Sequence, residues 1–341
     1  MPRDRHRPRR MLLVTEGARA LSSPDLTLAR GVEALGTACT LSDGVEEGGA
    51  AAWFRLCRRH DTVVLTHYNE TSLFLARQMF LARLAGCVVV RWWVGSDVST
   101  ALREPKTAAS VRRLDRAVDV NIAVAPHLVD ELAQVGVQAV YVPSIADLSA
   151  LESPMPDRLP RGVLVYLPAA RRDFYGRAAV ERAAAAHRDL PFIVVGDDAH
   201  ALAHHPNVES LGWVGDMEAL WPRIGAVLRL TEHDGLPRMV LEALARGREA
   251  IYAWPLDGCR WVRTDAEVDA ALAAFKASTA PNAEGREVAR RIAADAALLW
   301  LDTVAGARTA RRPVDRLAAL AGLIRCQRAY KAAARVAPVP S

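Results

Sequence analysis

Short apolar runs recur along the chain, separated by longer stretches of mixed character, and their alternation predicts the architecture. Residues 11–15 and 62–66 are continuous runs of Met, Leu, Val and Thr, the pattern of strands buried on both faces. Residues 87–92, 121–125 and 139–142 repeat the pattern. Helices are predicted between them, near 26–35, over 72–84 and near 128–134. After residue 161 the alternation restarts, with strands at 162–167, 192–195, 208–212, 226–230 and 250–254 and a helix over 177–187. A last helix, 317–336, is amphipathic, with Arg and Lys on its polar side. Strand–helix alternation on both sides of a break predicts two α/β domains, each with a doubly wound parallel sheet.

The break is legible too. Residues 147–161 hold Pro154, Pro156 and Pro160 and few large apolar side chains, as a linker does. The predicted division is a basic tail over 1–10, a first domain over 11–153, a linker at 154–161, a second domain over 162–312 and a closing helix over 313–341. A chain of 341 residues suits two domains of ordinary size. With 51% apolar and 24% charged residues it is globular rather than disordered.

The net charge of +5 is modest, and Arg3, Arg5, Arg7, Arg9 and Arg10 supply part of it. Such a tail is expected to be solvated or to touch anionic lipid. Glu16 cuts the first apolar run too short for a signal peptide, and no run approaches the roughly 20 residues of a membrane span. A cytoplasmic location is expected, with membrane association only at the periphery, and no nucleic-acid partner. The five cysteines lack metal-type spacing and read as core residues in a reduced compartment. His204-His205 precedes Pro206 in a polar stretch, and adjacent histidines do not form a helical metal face, so no metal or other cofactor is expected. No Gly-x-Gly-x-x-Gly follows a predicted strand, which argues against a nicotinamide dehydrogenase.

The densest chemistry lies in Thr231-Glu232-His233-Asp234-Gly235-Leu236-Pro237-Arg238-Met239-Val240-Leu241-Glu242-Ala243-Leu244-Ala245. Gly235 and Pro237 suit a loop closing onto a helix start, and the residues after them are good helix formers. The unpaired N–H groups and positive dipole end of such a helix form an anion site. Asp234 stands in the loop beside it and Glu242 more than a turn into the helix. An anion flanked by hydroxyl-bearing groups, as in a nucleotide-sugar, matches that arrangement.

This segment resembles the acid–seven residues–acid motif of retaining glycosyltransferases with the GT-B fold, in the family-four group. The match runs through Asp234-Gly235-Leu236-Pro237 and Glu242-Ala243-Leu244-Ala245-Arg246-Gly247. The resemblance implies two Rossmann-like domains facing a central cleft and a nucleoside diphosphate-sugar donor. It implies that Asp234 faces the donor sugar, that the backbone from Gly235 through Leu236 and Pro237 to Arg238 holds the diphosphate, and that Glu242 binds the ribose. It also implies a final helix that returns to the first domain. This chain has Asp where Glu is usual at 234, and Arg at the normally apolar 238. The family's Lys-Gly after the first strand of the second domain is replaced by Tyr175-Gly176. Arg171, Arg172 and Arg177 are candidates for the missing charge, and Arg229 and Arg238 flank the motif as further ones. Gly212-Trp213-Val214-Gly215 resembles the family's base-side turn, making Trp213 and Val214 candidate neighbours of the base; the alternative is a strand end with a core Trp. Gly196-Asp197-Asp198 is read as loop geometry.

In the first domain, Arg91-Trp92-Trp93-Val94-Gly95-Ser96-Asp97-Val98 resembles a Trp-x-Gly-Ser/Thr-Asp-Val segment of some GT-B enzymes. Asp97 is a candidate to take the acceptor's proton, with Trp92 or Trp93 as a sugar-stacking face. The alternative is a helix cap by Ser96 or Asp97 beside two core tryptophans. His67, after the 62–66 strand, is a second candidate base, and Glu16-Gly17 stands where the family loop approaches the donor. Three functions remain open on these residues. One is a retaining glycosyltransferase and one an inverting transferase using Asp97 as base; the third is a non-catalytic sugar-nucleotide-binding protein. The acceptor is a sugar, a lipid-linked intermediate or a small molecule.

Overall fold

Two six-stranded sheets, parallel throughout, organise the chain. The structure is a computed structural model and describes residues 7–15, 24–43, 49–66, 73–103, 105–146, 148–198, 200–310 and 313–336. It divides into two compact units, one running to Ile145 and resuming at Asp295, the other spanning Ala146–Ala294.

In the first unit the elements run β1 (Arg10–Thr15), α1 (Pro24–Glu33), β2 (Ala38–Asp43), α2 (Gly49–Cys57), β3 (Thr62–Thr66), α3 (Leu73–Ala85) and β4 (Val88–Trp93). They continue with α4 (Ser96–Arg103), α5 (Pro105–Asp115), β5 (Val120–Ala123), α6 (Pro126–Gln134) and β6 (Ala139–Tyr141). The sheet order is β2-β1-β3-β4-β5-β6. All residues of β3 and β4 are buried, as a parallel strand covered on both faces requires. The predicted strands 11–15, 62–66, 87–92 and 121–125 appear within a residue or two of their expected bounds. The sequence reading did not include β2 or α2. As a sheet edge, β2 (Ala-Cys-Thr-Leu-Ser-Asp) pairs on one side only and needs no continuous apolar run.

In the second unit the elements are β7 (Gly162–Tyr166), α7 (Arg177–Ala186), β8 (Phe192–Val195), β9 (Val208–Ser210), β10 (Ile224–Arg229), α8 (Arg238–Ala245), β11 (Glu249–Tyr252), β12 (Arg260–Trp261) and α9 (Asp265–Ala277). The order β12-β11-β10-β7-β8-β9 is that of a Rossmann sheet. Strand progression runs one way from β7 to β9, then reverses from β10 to β12. The reversal falls between β7 and β10, so ligand-binding loops are expected beyond their carboxyl ends. Thr264 caps α9 reciprocally with Glu267, whose backbone N–H donates to the Thr264 hydroxyl at 3.3 Å.

The unit boundary falls inside α10 (Ala283–Thr309), and α11 (Pro313–Val336) follows. Within the first unit α11 lies along α3, where Ala319, Leu323 and Cys326 join Leu75, Met79 and Phe80 in one hydrophobic core. The second unit has its own core around Val165, Phe192, Leu228, Leu272 and Phe275. Two six-stranded parallel sheets with flanking helices are the α/β architecture of the GT-B fold. Among the described residues, no helix is long and apolar enough to cross a membrane.

Candidate functional site

The loops after β7 and β10 are tied together at the reversal point of the second sheet. The Glu232 N–H donates to the Phe174 carbonyl at 2.9 Å. Gly176, at φ 79°, sits so close to the neighbouring loop that a Cβ would lie 2.4 Å from the Leu230 carbonyl oxygen. Only glycine satisfies both the left-handed backbone and that approach.

Under this junction lies a buried ion pair. The Arg229 Nε donates to Asp234 Oδ2 at 2.5 Å, with side-chain exposures of 12% and 13%. Burial works against the Arg229 charge, but the Asp234 carboxylate outweighs it and holds the guanidinium above its usual range. Asp234 also accepts from the Thr231 hydroxyl at 3.2 Å and from the Gly235 N–H at 3.1 Å. Tyr175 stacks on Arg229, with the guanidinium 5.3 Å from its ring centre, and meets Tyr166 edge-on at 5.3 Å. The Tyr252 hydroxyl donates to the Gly235 carbonyl at 3.2 Å, and burial, reinforced by Asp234, raises its pKa well above the ordinary range. Asp234 is thus built into the loop's own framework.

Pro237 precedes α8 and provides no side-chain cap. Gly235, Leu236 and Pro237 are buried, while Arg238 and Glu242 are half-buried, one turn apart on α8. Burial lowers the Arg238 pKa, and the Glu242 charge opposes that shift. The helix start therefore combines unsatisfied N–H groups with a cation, the two features an anionic ligand requires.

The three arginines proposed from sequence separate in role. Arg172 lies 3.0 Å from fully buried Asp197, which itself accepts from the Ala201 N–H at 2.6 Å. Arg177 pairs with Asp173 at 3.1 Å and Glu181 at 3.5 Å. Arg171 is exposed and rests over the Phe174 ring at 4.1 Å, with no carboxylate partner among the described residues. Of the three, Arg171 has an uncommitted charge at the junction.

Trp213 is 65% exposed, and its N–H donates to Asp198 Oδ1 at 2.9 Å. That removes the core-tryptophan alternative and leaves an open indole face beyond β9, with Val214 half-buried beside it. Gly196 and Gly212 join the two strand ends through a 2.6 Å backbone bond, and Asp197 and Asp198 have the loop-forming roles expected of them. A cavity of about 320 Å³ opens at the ends of β10 and β11, lined by Thr231, Glu232, Trp254, Arg263 and Thr264 among others.

In the first unit the outcome differs. Trp92 and Trp93 are 1% and 0% exposed, so neither offers a stacking face, a correction to the sequence expectation. Both lie on a strand covered on each side, and Trp93 donates to Asn121 Oδ1 at 3.0 Å. Asp97, 4% exposed, accepts from the N–H groups of Val94, Gly95 and Val98 at 2.9–3.3 Å. This geometry is that of the loop-closing cap. Fully buried Arg91 stacks 3.6 Å over Trp93; burial lowers its pKa to about 10, opposed by Asp97 and Asp115. His67, Glu16 and Gly17 lie outside the described residues.

Sequence reasoning missed several participants. Buried Asp25 accepts a short hydrogen bond from the Thr66 hydroxyl, at the carboxyl end of β3 where the first sheet reverses. Its only local signal was Ser-Pro-Asp before a helix. Tyr175, Tyr252 and Thr231 were also missed. His204 and His205 both point Nε2 at Glu181 Oε1, at 3.3 and 3.8 Å, so the sequence argument from adjacency overlooked a third ligand on α7. Such a trio has metal-binding chemistry, although Arg177 also pairs with the same carboxylate.

No family model and no curated protein matches this chain. Solved structures do. Anabaena HepE in complex with UDP and glucose superposes with a TM-score of 0.68 at 12% identity, over 87% of this chain and 99% of that one. Sucrose-phosphate synthase from Thermosynechococcus elongatus gives 0.62 at 12% identity, over 87% and 100%. The pneumococcal O-GlcNAc transferase GtfA, in complex with UDP and GlcNAc, gives 0.53 at 16% identity, over 78% and 61%. The chain shares their fold.

Proposed function

We propose that the protein is a glycosyltransferase that moves a sugar from a nucleoside diphosphate-sugar to an acceptor hydroxyl. The observation that carries this reading is the junction of the β7 and β10 loops. There Arg171 and the Arg229–Asp234 pair meet around Tyr175 at the reversal point of a Rossmann sheet, and the β10 loop leads into α8 with Arg238 and Glu242. Neighbours of this fold are described with UDP and sugars bound, which supports a donor of that class.

In this reading the α8 N–H groups and Arg171 hold the diphosphate, Glu242 accepts from the ribose and Trp213 flanks the base. Arg229 pairs with Asp234 and fixes it in the loop, with the carboxylate facing the sugar. Stabilising charge on the departing diphosphate is then the main catalytic contribution. No metal is assigned to this chemistry. The Glu181–His204–His205 trio is not used in it.

Transfer with retention fits better than inversion. An inverting enzyme needs a base, and the Asp97 carboxylate is spent on three backbone amides. The departing diphosphate itself can take the acceptor proton on the same face. The test is titration with a panel of nucleoside diphosphates, with Arg171→Ala beside the parent, followed by NMR of the product's anomeric centre. Tight binding of one nucleoside diphosphate, weakened in the variant, supports the donor site, and a retained anomer supports the route. A chain that binds no nucleoside diphosphate, or a product of opposite configuration, removes the respective part of the reading.

A further inference from the structure

Helix α11 buries one face against α3 and leaves the other uncovered. Gly322 makes the contact close, since a Cβ there would lie 2.3 Å from the Phe80 ring. On the outer face Leu317 is 67% exposed, Leu320 45% and Ile324 45%. At about 100° per residue these three fall within roughly 60° of one another, forming a single stripe. A water-facing position gains nothing from leucine or isoleucine, and three along one line form a patch rather than scatter.

Apart from Asp315 in its first turn, the charged side chains described on α11 are arginines. Arg316, Arg325 and Arg328 are exposed on α11. Arg325 also joins Arg113 and Arg116 from the α5 side around a cavity of about 140 Å³, walled by Leu73, Phe80 and Ala329. All three guanidiniums bear on the Cys326 thiol at its edge: burial raises that pKa, and each arginine opposes the rise. No carboxylate pairs with Arg113, Arg116, Arg325 or Arg328 among the described residues. Elsewhere Arg172, Arg177, Arg182, Arg223 and Arg246 each pair with a carboxylate. Unpaired arginines around an apolar groove, beside an exposed Leu/Ile stripe, call for an occupant that is anionic at its surface and apolar beneath.

We propose that this face of α11, with Arg113 and Arg116, docks the protein on an anionic lipid bilayer. Leu317, Leu320 and Ile324 enter the headgroup–acyl boundary while the arginines meet lipid phosphates, as amphipathic interfacial helices do. A second copy of the chain fits less well, because a two-fold contact would set like arginines against each other, and three side chains fall short of the roughly 800 Å² per partner of a stable interface. This docking surface lies on the folded α11 and the neighbouring Arg113 and Arg116.

The test is co-sedimentation of the full chain with phosphatidylcholine vesicles, with and without phosphatidylglycerol. The parent should bind the anionic vesicles, bind the neutral ones far less, and be released by high salt. Arg113→Gln/Arg116→Gln/Arg325→Gln should weaken binding by about fivefold per charge. Leu317→Ala/Leu320→Ala/Ile324→Ala should abolish retention on the vesicles. Both triple variants change exposed side chains, so parent-like circular dichroism and melting confirm that the fold is intact. Equal binding to both vesicle types, no binding to either, or unchanged binding by the arginine variant overturns the proposal. So does a lipid-free dimer, seen in sedimentation velocity, that the Leu/Ile variant dissolves.

Discussion

Arg229 and Asp234 should be worth far more together than either is alone, and the effect can be calculated from their surroundings. Both side chains are nearly buried, at 12% and 13% exposure, and 2.5 Å apart. Removing one partner of a buried pair strands a charge and costs about 3–5 kcal/mol. The residual exposure here places the loss near the lower end, about 3 kcal/mol. A unit of this size loses roughly 2–4 °C of melting temperature per kcal/mol, so Arg229→Met or Asp234→Ala should each lower the second unit's transition by about 6–12 °C. The double variant strands no charge and should be less destabilised than the sum of the singles. A double-mutant cycle by scanning calorimetry should give a coupling of about 1.5–3 kcal/mol. A coupling near zero, or melting shifts below a degree, would refute the framework role given to Asp234.

Two further outcomes follow from other sites. Asp97→Asn should lower the first unit's melting temperature by several degrees, because it removes charge-assisted bonds to three amides and leaves Arg91 buried with less compensation; nucleoside diphosphate affinity should stay unchanged. A parent-like melting curve with turnover lost would instead return Asp97 to the base role. Burial, with Glu249 and Asp257 adding to it, pushes the Cys259 pKa to about 12 from an ordinary 9, so the thiol stays protonated until the pH rises through that value. At pH 8 its thiolate fraction is about a thousandfold below that of an ordinary thiol, and peptide-resolved iodoacetamide labelling should be slowed accordingly. Labelling at the rate of an unfolded control would contradict the burial.

Much of the fold was legible because central parallel strands must be apolar on both faces. The runs at 11–15, 62–66 and 192–195 carry that signature and appear where expected. Edge strands β2 and β12 were not legible, since half-paired strands face no such demand. The same rule should have placed Trp92 and Trp93 in the core, because consecutive residues of a strand point to opposite faces and here both faces are covered. In the site, the spacing of Asp234, Gly235, Pro237 and Glu242 marked the loop and helix start. Its internal wiring stayed hidden. The Arg229–Asp234 pair closes across an aperiodic loop, and Arg172 is committed to an aspartate that the sequence presents as a turn residue. Glu181 meets the His204-His205 pair only through the tertiary fold.

The central claim rests on Glu242, half-buried on α8 one turn from Arg238. The deciding measurement is the melting-temperature rise that a nucleoside diphosphate gives the parent and Glu242→Ala, run with release of free sugar from the matching nucleoside diphosphate-sugar. Hydrogen bonds to a charged group contribute about 1.5–3 kcal/mol, so the variant should bind about tenfold to a hundredfold more weakly. Measured against its own ligand-free melting temperature, it should lose most of the ligand-induced rise, and it should release sugar more slowly. If the variant gains the same stabilisation as the parent, or the parent gains none from any nucleoside diphosphate, the donor site is not where this account places it.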